Sequence, residues 1–293
     1  MQTIITHNGG FHADDVFAVA TLQLHLGEDN LRVVRTRDES LIEGGDWVLD
    51  VGGVYDPRAR RFDHHQKGAP VRENGIPYAA FGLVWKEVGV VVAGSEEIAR
   101  EIEEKLVLPI DANDNGVILT TTTELDIRPT TLSDMVALLN PVRGSGGDVD
   151  SVFMEVVAIA RRIIESAIVH ATARAAMRAH AEEVYQNAVD TRVLEFEGQM
   201  SSSLLIDYPE VLFMVCPDDP ATSSNWVAVA ISKEKNSYET RLPFPLAWAG
   251  LRDSELASVS GIDDAVFCHR NRFLFVAKSR EGVMAAVEKT LQG

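Results

Sequence analysis

The first half of the chain alternates short apolar runs with segments of helical spacing. Residues 14–27 have helical spacing and end at Gly27. Strands separated by a helix and followed by glycine-rich loops are typical of a parallel α/β sheet, which binds ligands at the carboxyl ends of its strands. His7 and Asp50 fall at two such ends. The runs that predict the strands are TIIT (3–6), RVVRT (32–36) and DWVLDVG (46–52).

Helical patterns and polar loops then alternate up to about residue 190. The segment RGSGGD, residues 143–148, is the best linker candidate in the chain, and the polar residues 121–131 predict a loop. The sequence therefore predicts an N-terminal domain over residues 1–147 and a connecting helical region over residues 148–190. The predicted helices cover residues 78–89, 96–116, 132–140 and 150–188.

From residue 191 the pattern changes to short β runs followed by an amphipathic helix over residues 280–291. This pattern predicts a second, smaller α/β domain over residues 191–293. The predicted strands are TRVLEF (191–196), SSLLI (202–206), VLFMVC (211–216), WVAVAI (226–231), AVFCH (265–269) and FLFVAK (273–278).

Composition narrows the class of protein. Hydrophobic residues make up 46% of the chain and charged residues 24%, which is typical of a soluble globular protein. No apolar run is long enough to span a membrane, and the N-terminus does not resemble a signal peptide. The two cysteines, Cys216 and Cys268, belong to no CxxC pair, so we expect reduced thiols in a cytoplasmic protein.

The net charge of −17 restricts the partners. Such a surface repels phosphate backbones at long range, so we expect no binding along a long duplex. A short polyanion held by a local positive site, such as bound divalent cations, remains compatible with this charge.

Candidate chemistry concentrates near the N-terminus. Five of the eight histidines lie in the first 65 residues, and all of these except His25 stand beside aspartates in predicted loops. Two divalent cations roughly 3.5–4 Å apart need a bridging carboxylate, and mixed imidazole and carboxylate ligands suit manganese, iron or zinc. The clusters are HNGGFHADD (7–15), Asp50 before VGG, FDHHQ (62–66) and PIDANDNG (109–116).

Taken singly, most of these clusters also have a structural interpretation. Asp14 and Asp15 fall in the first turn of a predicted helix, where carboxylates cap free N–H groups. Asp50 could end a strand in a turn, and DANDNG could be a turn rich in Asx residues. Adjacent imidazoles beside a carboxylate, as in the Asp-His-His run, favour a functional role.

Taken in order, the clusters resemble the motif succession of the DHH phosphoesterase superfamily, which includes RecJ-type nucleases, nanoRNases and family II pyrophosphatases. The more specific resemblance is to the Myg-type family, described either as metal-dependent exonucleases or as metal-dependent protein hydrolases. It covers nearly the whole chain and implies an N-terminal parallel-sheet domain of the DHH type, a connecting helix and a smaller C-terminal domain. The motifs that carry it are THNGGFHADD, VRTRD, DVGGVYDPRARRFDHHQ, IDANDNG, LNP, RLPFPLAWAGL and SGIDDAVFCH.

The resemblance implies two metal sites that share Asp50. Where most of the superfamily has a second aspartate in the opening motif, this chain has His12, which adds nitrogen to the first site. The implied ions are two Mn²⁺, with Mg²⁺, Fe²⁺ or Zn²⁺ as alternatives. The implied ligands are His7, His12 and Asp50 for the first ion, and Asp14, Asp50, His65 and Asp111 for the second.

The resemblance also implies roles outside these ligands. His64 would act as an acid or contact the substrate phosphate, and Asp63 would orient a histidine. Which of His64 and His65 binds metal stays open at this point. The C-terminal domain would contribute substrate contacts, although it lacks the glycine-run motif of the nanoRNase branch. Its candidates are Arg241, Ser260, Gly261 and His269, with Arg270 and Arg272 as weaker ones, and all could equally be surface and turn residues.

The function that these expectations define is a two-metal phosphodiesterase, a 3'-5' exonuclease acting on RNA or short oligonucleotides. Two alternatives keep the same residues: a hydrolase of pyrophosphate or dinucleotides, and a metal-binding protein without turnover. A homodimer is compatible with the sequence. The chain contains neither the GxxxxGK[ST] motif of P-loop enzymes nor the GxGxxG motif of dinucleotide-binding folds.

Overall fold

The structure is a computed structural model that describes residues 1–119, 127–219, 221–235, 237 and 239–293. It divides into two compact units, Met1–Ala173 and Arg174–Gly293. Most of the loop predicted over residues 121–131 lies outside the described residues. The domain boundaries predicted after residues 147 and 190 stay predictions.

The first unit contains a five-stranded sheet whose strands run in the order β2-β1-β3-β5-β4. All neighbours are parallel except β4 and β5, which pair antiparallel. The predicted α/β class with a parallel N-terminal sheet is therefore confirmed. The strands are β1 (Gln2–Thr6), β2 (Leu31–Arg35), β3 (Trp47–Leu49), β4 (Tyr55–Asp56) and β5 (Arg61–Phe62).

The register of this sheet brings three strand ends to one edge. Ile5 of β1 pairs with Val48 of β3, and Leu49 of β3 pairs with Phe62 of β5. Because the three strands are parallel, the residues that follow them meet at the same carboxyl edge. Those residues begin the segments at His7, Asp50 and Asp63.

Helices pack beside this sheet. The first, α1, is buried over nearly its whole length and packs on α3, where the Phe17 and Phe81 rings lie 5.3 Å apart. The helices of this part of the chain are α1 (Ala13–Leu26), α2 (Glu39–Glu43), α3 (Ala80–Ala93), α4 (Glu96–Ile102), α5 (Leu108–Asp114), α6 (Leu132–Leu139) and α7 (Val149–Asn187). The division between the two units falls inside α7.

The helix predicted over residues 96–116 is interrupted in the structure. A π-helical turn, Glu103–Val107, separates α4 from α5. Pro109 follows in the first turn of α5, and a proline has no backbone N–H to continue the regular hydrogen-bond ladder. Asp111 and Asp114 therefore lie on a short helix of their own.

The second unit contains a sheet in the order β6-β7-β8-β10-β9, antiparallel except for β6 and β7. Its core includes the packed rings of Phe213, Phe244 and Phe275. Its elements are β6 (Val193–Glu195), β7 (Phe213–Pro217), β8 (Trp226–Ala230), α8 (Asp253–Ser260), β9 (Ala265–Cys268), β10 (Leu274–Ala277) and α9 (Arg280–Gln292).

One strand prediction in this unit is wrong. The segment predicted as a strand at residues 202–206 forms a 3-10 turn, Ser202–Leu205. Serine side chains bond locally and compete with a strand ladder, and here the Ser201 and Ser203 hydroxyls bond each other at 2.8 Å.

Among the described residues, no helix combines the length and the apolar character needed to cross a membrane.

Candidate metal centre

His7 follows β1 directly and turns into the protein. It is 3% exposed, and its Nε2 lies 3.1 Å from Asp15 Oδ2 and 3.3 Å from Asp50 Oδ2. Its Nδ1 lies 3.1 Å from the Asn8 carbonyl oxygen, which can only accept a hydrogen bond. In the neutral ring Nδ1 therefore carries the proton, and the lone pair of Nε2 is directed among the carboxylates.

The loop that follows His7 is held at two points. The Gly9 carbonyl accepts a hydrogen bond from Arg35 Nη2 at 2.7 Å. The side-chain amide of Asn140 bonds both sides of Phe11, donating to its carbonyl and accepting from its N–H, each at 2.9 Å. The loop therefore presents His7 and the exposed His12 on a fixed backbone.

Asp50 lies between two imidazoles. It is 4% exposed and adopts a left-handed backbone with φ of 54°, which is uncommon for a residue other than glycine. Its Oδ2 faces His7, while its Oδ1 lies 3.2 Å from His64 Nε2. Burial opposes ionisation, but the two imidazoles outweigh it and lower the pKa of Asp50. The two oxygens of one carboxylate thus face two different histidines, as a bridging ligand requires.

The Asp-His-His run places its two histidines in different environments. The side chain of His64 is 6% exposed, and its Nε2 also lies 3.4 Å from Asp114 Oδ2. The side chain of His65 is 64% exposed, and its Nδ1 lies 2.8 Å from Asp63 Oδ1. Asp63 Oδ2 accepts a hydrogen bond from the Gly53 N–H at 2.6 Å. Asp63 thus contacts His65, whose Nδ1 also lies 3.4 Å from Asp50 Oδ1. Both histidines approach this carboxylate, and His64 is the more buried of the two.

Asp111 lies apart from the cluster. It is fully buried, and its Oδ2 accepts a hydrogen bond from Arg72 Nη2 at 2.7 Å while its Oδ1 accepts one from the Gly82 N–H at 3.0 Å. Arg72 also contacts Glu103 at 2.7 Å and stacks on the Tyr78 ring. Both oxygens of Asp111 already have protein partners, and its ligand role stays a prediction.

Asp114 of the same segment lies within the cluster. It lies one turn further along α5, and one of its oxygens lies within 4.8 Å of ligand atoms of His12 and Asp14. Because the two aspartates belong to the same DANDNG segment, the sequence pattern did not distinguish them.

The first turn of α1 supplies both a ligand candidate and a cap. Asp14 is fully buried and lies 3.7 Å from His64 Nε2. Burial first, and then the carboxylates of Asp50 and Asp114, raise the pKa of Asp14 well above its ordinary value. Asp15 accepts hydrogen bonds from the His12 and Val16 N–H groups through Oδ1, so the capping interpretation describes this oxygen. Its other oxygen faces His7.

The donor set fits divalent cations. Several buried polar atoms of the cluster make no hydrogen bond among the described residues: His7 Nε2, Asp14 Oδ1, Asp15 Oδ2, Asp50 Oδ1 and His64 Nε2. Unpaired buried polar atoms are costly, and a bound cation would satisfy them. Three groups bring their ligand atoms within 4.8 Å of one another: His7 with His12 and Asp50, Asp50 with His64 and His65, and His12 with Asp14 and Asp114.

A cavity of about 240 Å³ opens onto part of this cluster, and we call it the metal cavity. His7, His12, Asp50, Asp63 and His65 line it together with Arg37, which the sequence did not single out.

The substrate-contact candidates of the second unit are largely engaged in its own structure. Arg241 donates hydrogen bonds to the carbonyls of Ile206, Tyr208 and Val211. The Ser260 hydroxyl accepts from the Ile262 N–H, and Gly261 ends α8 with a φ of 65°.

The other candidates follow β9. His269 Nδ1 accepts a hydrogen bond from the Asn271 N–H at 3.1 Å, and its ring packs on Phe273. Arg270 is exposed, and Arg272 Nη1 donates to the Phe244 carbonyl at 3.4 Å. Substrate contact by any of them stays a prediction.

The fold and the site define a class of protein, namely a parallel α/β protein with a His/Asp cluster that could bind divalent cations. Comparison with known proteins agrees with this class. The chain belongs to the MYG1 exonuclease family, described as "Uncharacterised protein family (UPF0160)", whose sequence profile matches residues 3–291. The resemblance to the Myg-type family is thereby confirmed.

Relatives match along nearly their whole length. The MYG1 exonuclease of Homo sapiens is 30% identical over 322 residues, covering 98% of this chain and 85% of the human protein. The MYG1 protein of Chlamydia pneumoniae is 29% identical, covering 99% of this chain and 97% of that protein. A solved structure of the pGpG-specific phosphodiesterase PggH of Vibrio cholerae covers 99% of this chain and 97% of its own, with a TM-score of 0.34 and 13% identity.

Proposed function

We propose that this chain is a metal-dependent phosphodiesterase that uses two divalent ions, Mn²⁺ foremost, to remove nucleotides from short oligonucleotides, RNA included. The observation that carries the proposal is Asp50, whose two oxygens face His7 and His64 on opposite sides. The names of the mammalian relatives, which are MYG1 exonucleases, support a hydrolase acting on phosphodiester bonds.

The residues divide into two ligand sets that share Asp50. His7 and His12 complete the first set. Asp14, His64 and Asp114 complete the second, in which His64 and Asp114 replace the His65 and Asp111 of the sequence prediction. When bound, the two ions would polarise the phosphoryl oxygens and lower the pKa of water, so that a hydroxide nucleophile is available near neutral pH.

His65 is the residue placed to move a proton. Its exposed ring lines the metal cavity, and Asp63 holds its Nδ1. The carboxylate fixes the ring at Nδ1, leaving Nε2 free to give a proton to the departing oxygen. This assigns to His65 the role that the resemblance implied for His64.

The charge of the chain favours short substrates. A net charge of −17 repels phosphate backbones at long range, so binding depends on contacts close to the ions. A short oligonucleotide meets this condition, whereas a long duplex does not.

The test uses the full chain, freed of metal with EDTA and then supplied with Mn²⁺. Short labelled RNA and DNA should release nucleotides only after Mn²⁺ is added. Asp50→Asn should lower the rate by more than the roughly 10- to 100-fold lost when a hydrogen-bond partner of a metal ligand is removed. Asp29→Asn, an exposed aspartate of the same unit, is the matched control and should leave the rate unchanged. The proposal fails if the wild-type chain releases no nucleotide, or if Asp50→Asn is as active as the control.

A further inference from the structure

A second cavity adjoins the metal cavity, and we call it the outer cavity. It has a volume of about 620 Å³ and shares Arg37, Val51 and Gly52 with the metal cavity. A volume of this size lies within the range of small-molecule sites. Because the two cavities adjoin at these residues, a molecule reacting at the ions could extend toward the outer cavity.

Arg37 stands where the two cavities join, and its side chain is available to a ligand. It is exposed, and within the described ranges it forms no hydrogen bond, ion pair or ring contact. Arg35, two residues earlier, is by contrast paired with Asp150 and with the Gly9 carbonyl. In a chain with 44 acidic and 27 basic residues, an unpaired guanidinium beside a metal cavity is suited to bind an external phosphate.

The other walls of the outer cavity do not suit a second phosphate. Apolar side chains line it, namely those of Ile42, Val48, Val51 and Val54. Glu39 and Glu43 add negative charge, which repels further anionic groups. Arg61 also lines the cavity, and its guanidinium is engaged by the carbonyls of Ala59, Arg60 and Glu43. An uncharged group with an apolar face and polar edges, such as a base with its sugar, matches these walls better than a chain of phosphates.

We propose that the outer cavity is a nucleoside subsite, in which a base and its sugar lie against the apolar wall while Arg37 binds the phosphate of the same nucleotide. This inference rests on the proposed function and sharpens it, because it makes nucleotides rather than inorganic pyrophosphate the substrate class. The guanidinium supplies charge recognition, and the apolar wall distinguishes a nucleotide from a bare phosphate.

Equilibrium binding tests the subsite without depending on turnover. The Mn²⁺-loaded full chain is titrated calorimetrically with adenosine 5'-monophosphate and, separately, with inorganic phosphate. Arg37→Gln should weaken binding of the nucleotide about tenfold, the scale of a lost charge-assisted hydrogen bond. Val54→Asn should weaken the nucleotide about three- to tenfold and leave phosphate binding unchanged, since it alters only the apolar wall. Arg58→Gln, an exposed arginine of the same unit, is the control.

Metal content and melting temperature, measured on each variant, show whether the fold and the ions are intact. The subsite is overturned if both variants bind the nucleotide like the control, or if Val54→Asn weakens nucleotide and phosphate equally. Nucleotide binding that depends on Arg37 without any phosphodiester cleavage would support the subsite and contradict the proposed function. Cleavage of oligonucleotides by the wild-type chain, together with wild-type nucleotide affinity in both variants, would support the proposed function and contradict the subsite.

Discussion

Replacing Asp111 by asparagine should destabilise the protein without removing a metal ligand. The change deletes the charge of a fully buried carboxyl whose partner, Arg72, remains at 2.7 Å. Asparagine can still accept the Gly82 N–H, but its amide nitrogen cannot accept a hydrogen bond from the guanidinium.

The magnitude follows from this environment. Removing one partner of a buried ion pair costs about 3–5 kcal/mol. Two features reduce the cost here: Glu103 still neutralises Arg72, and burial raises the pKa of Asp111 to about 7, so the carboxyl is only partly ionised at neutral pH. We therefore expect a loss of about 2–3 kcal/mol in the free energy of unfolding. At roughly 2–4 °C per kcal/mol, the melting temperature should fall by about 4–12 °C.

The assay is thermal unfolding of the full chain in EDTA and again in Mn²⁺. Asp111→Asn should melt lower than wild type in both buffers and keep the rise that Mn²⁺ produces. Asp114→Asn is the matched variant, because this aspartate adjoins the buried Asp14 and removing its charge relieves repulsion. It should melt no lower than wild type in EDTA and lose much of the Mn²⁺-dependent rise. The reverse pattern would refute this reasoning and restore Asp111 as the ligand.

Three further expectations follow from the same region. Gly82→Ala should destabilise the chain by about 3 kcal/mol in urea unfolding, because the added Cβ would lie 1.8 Å from an Asp111 oxygen; a wild-type midpoint would contradict this. Asn140→Leu removes both hydrogen bonds to Phe11, each worth about 1 kcal/mol, and should weaken Mn²⁺ binding in calorimetry about tenfold, whereas unchanged affinity would mean that the loop needs no anchor. Although burial lowers it, the carboxylates beside its ring raise the pKa of His7 to about 10, so Mn²⁺ must displace a proton at neutral pH. The affinity should rise with pH between 6 and 8, and the binding heat should depend on the buffer's ionisation enthalpy; a heat independent of buffer would contradict this.

The sequence predicts well the strands and strand ends that position this site. Parallel strands alternating with a helix leave a clear hydrophobic pattern, and it placed His7 and Asp50 at strand ends that do meet in the structure. The pattern missed β4 and β5, since strands of two residues are too short to show a period.

Finer assignments stay predictions where neighbouring residues share the same chemistry. His64 and His65 are adjacent, and each brings a ring nitrogen near Asp50 Oδ1, at 3.2 and 3.4 Å, so the sequence pattern does not distinguish their roles. Asp111 and Asp114 differ by one helical turn, and the Arg72 contact that distinguishes them joins residues 39 positions apart. Local sequence patterns do not predict such long-range contacts.

Anomalous scattering from crystals soaked in Mn²⁺ tests the central claim most directly. We expect two manganese peaks roughly 3.5–4 Å apart, one on each side of Asp50, the first beside His7 and the second beside His64. A single peak, or peaks that Asp50 does not touch, would contradict a two-metal centre built on this carboxylate.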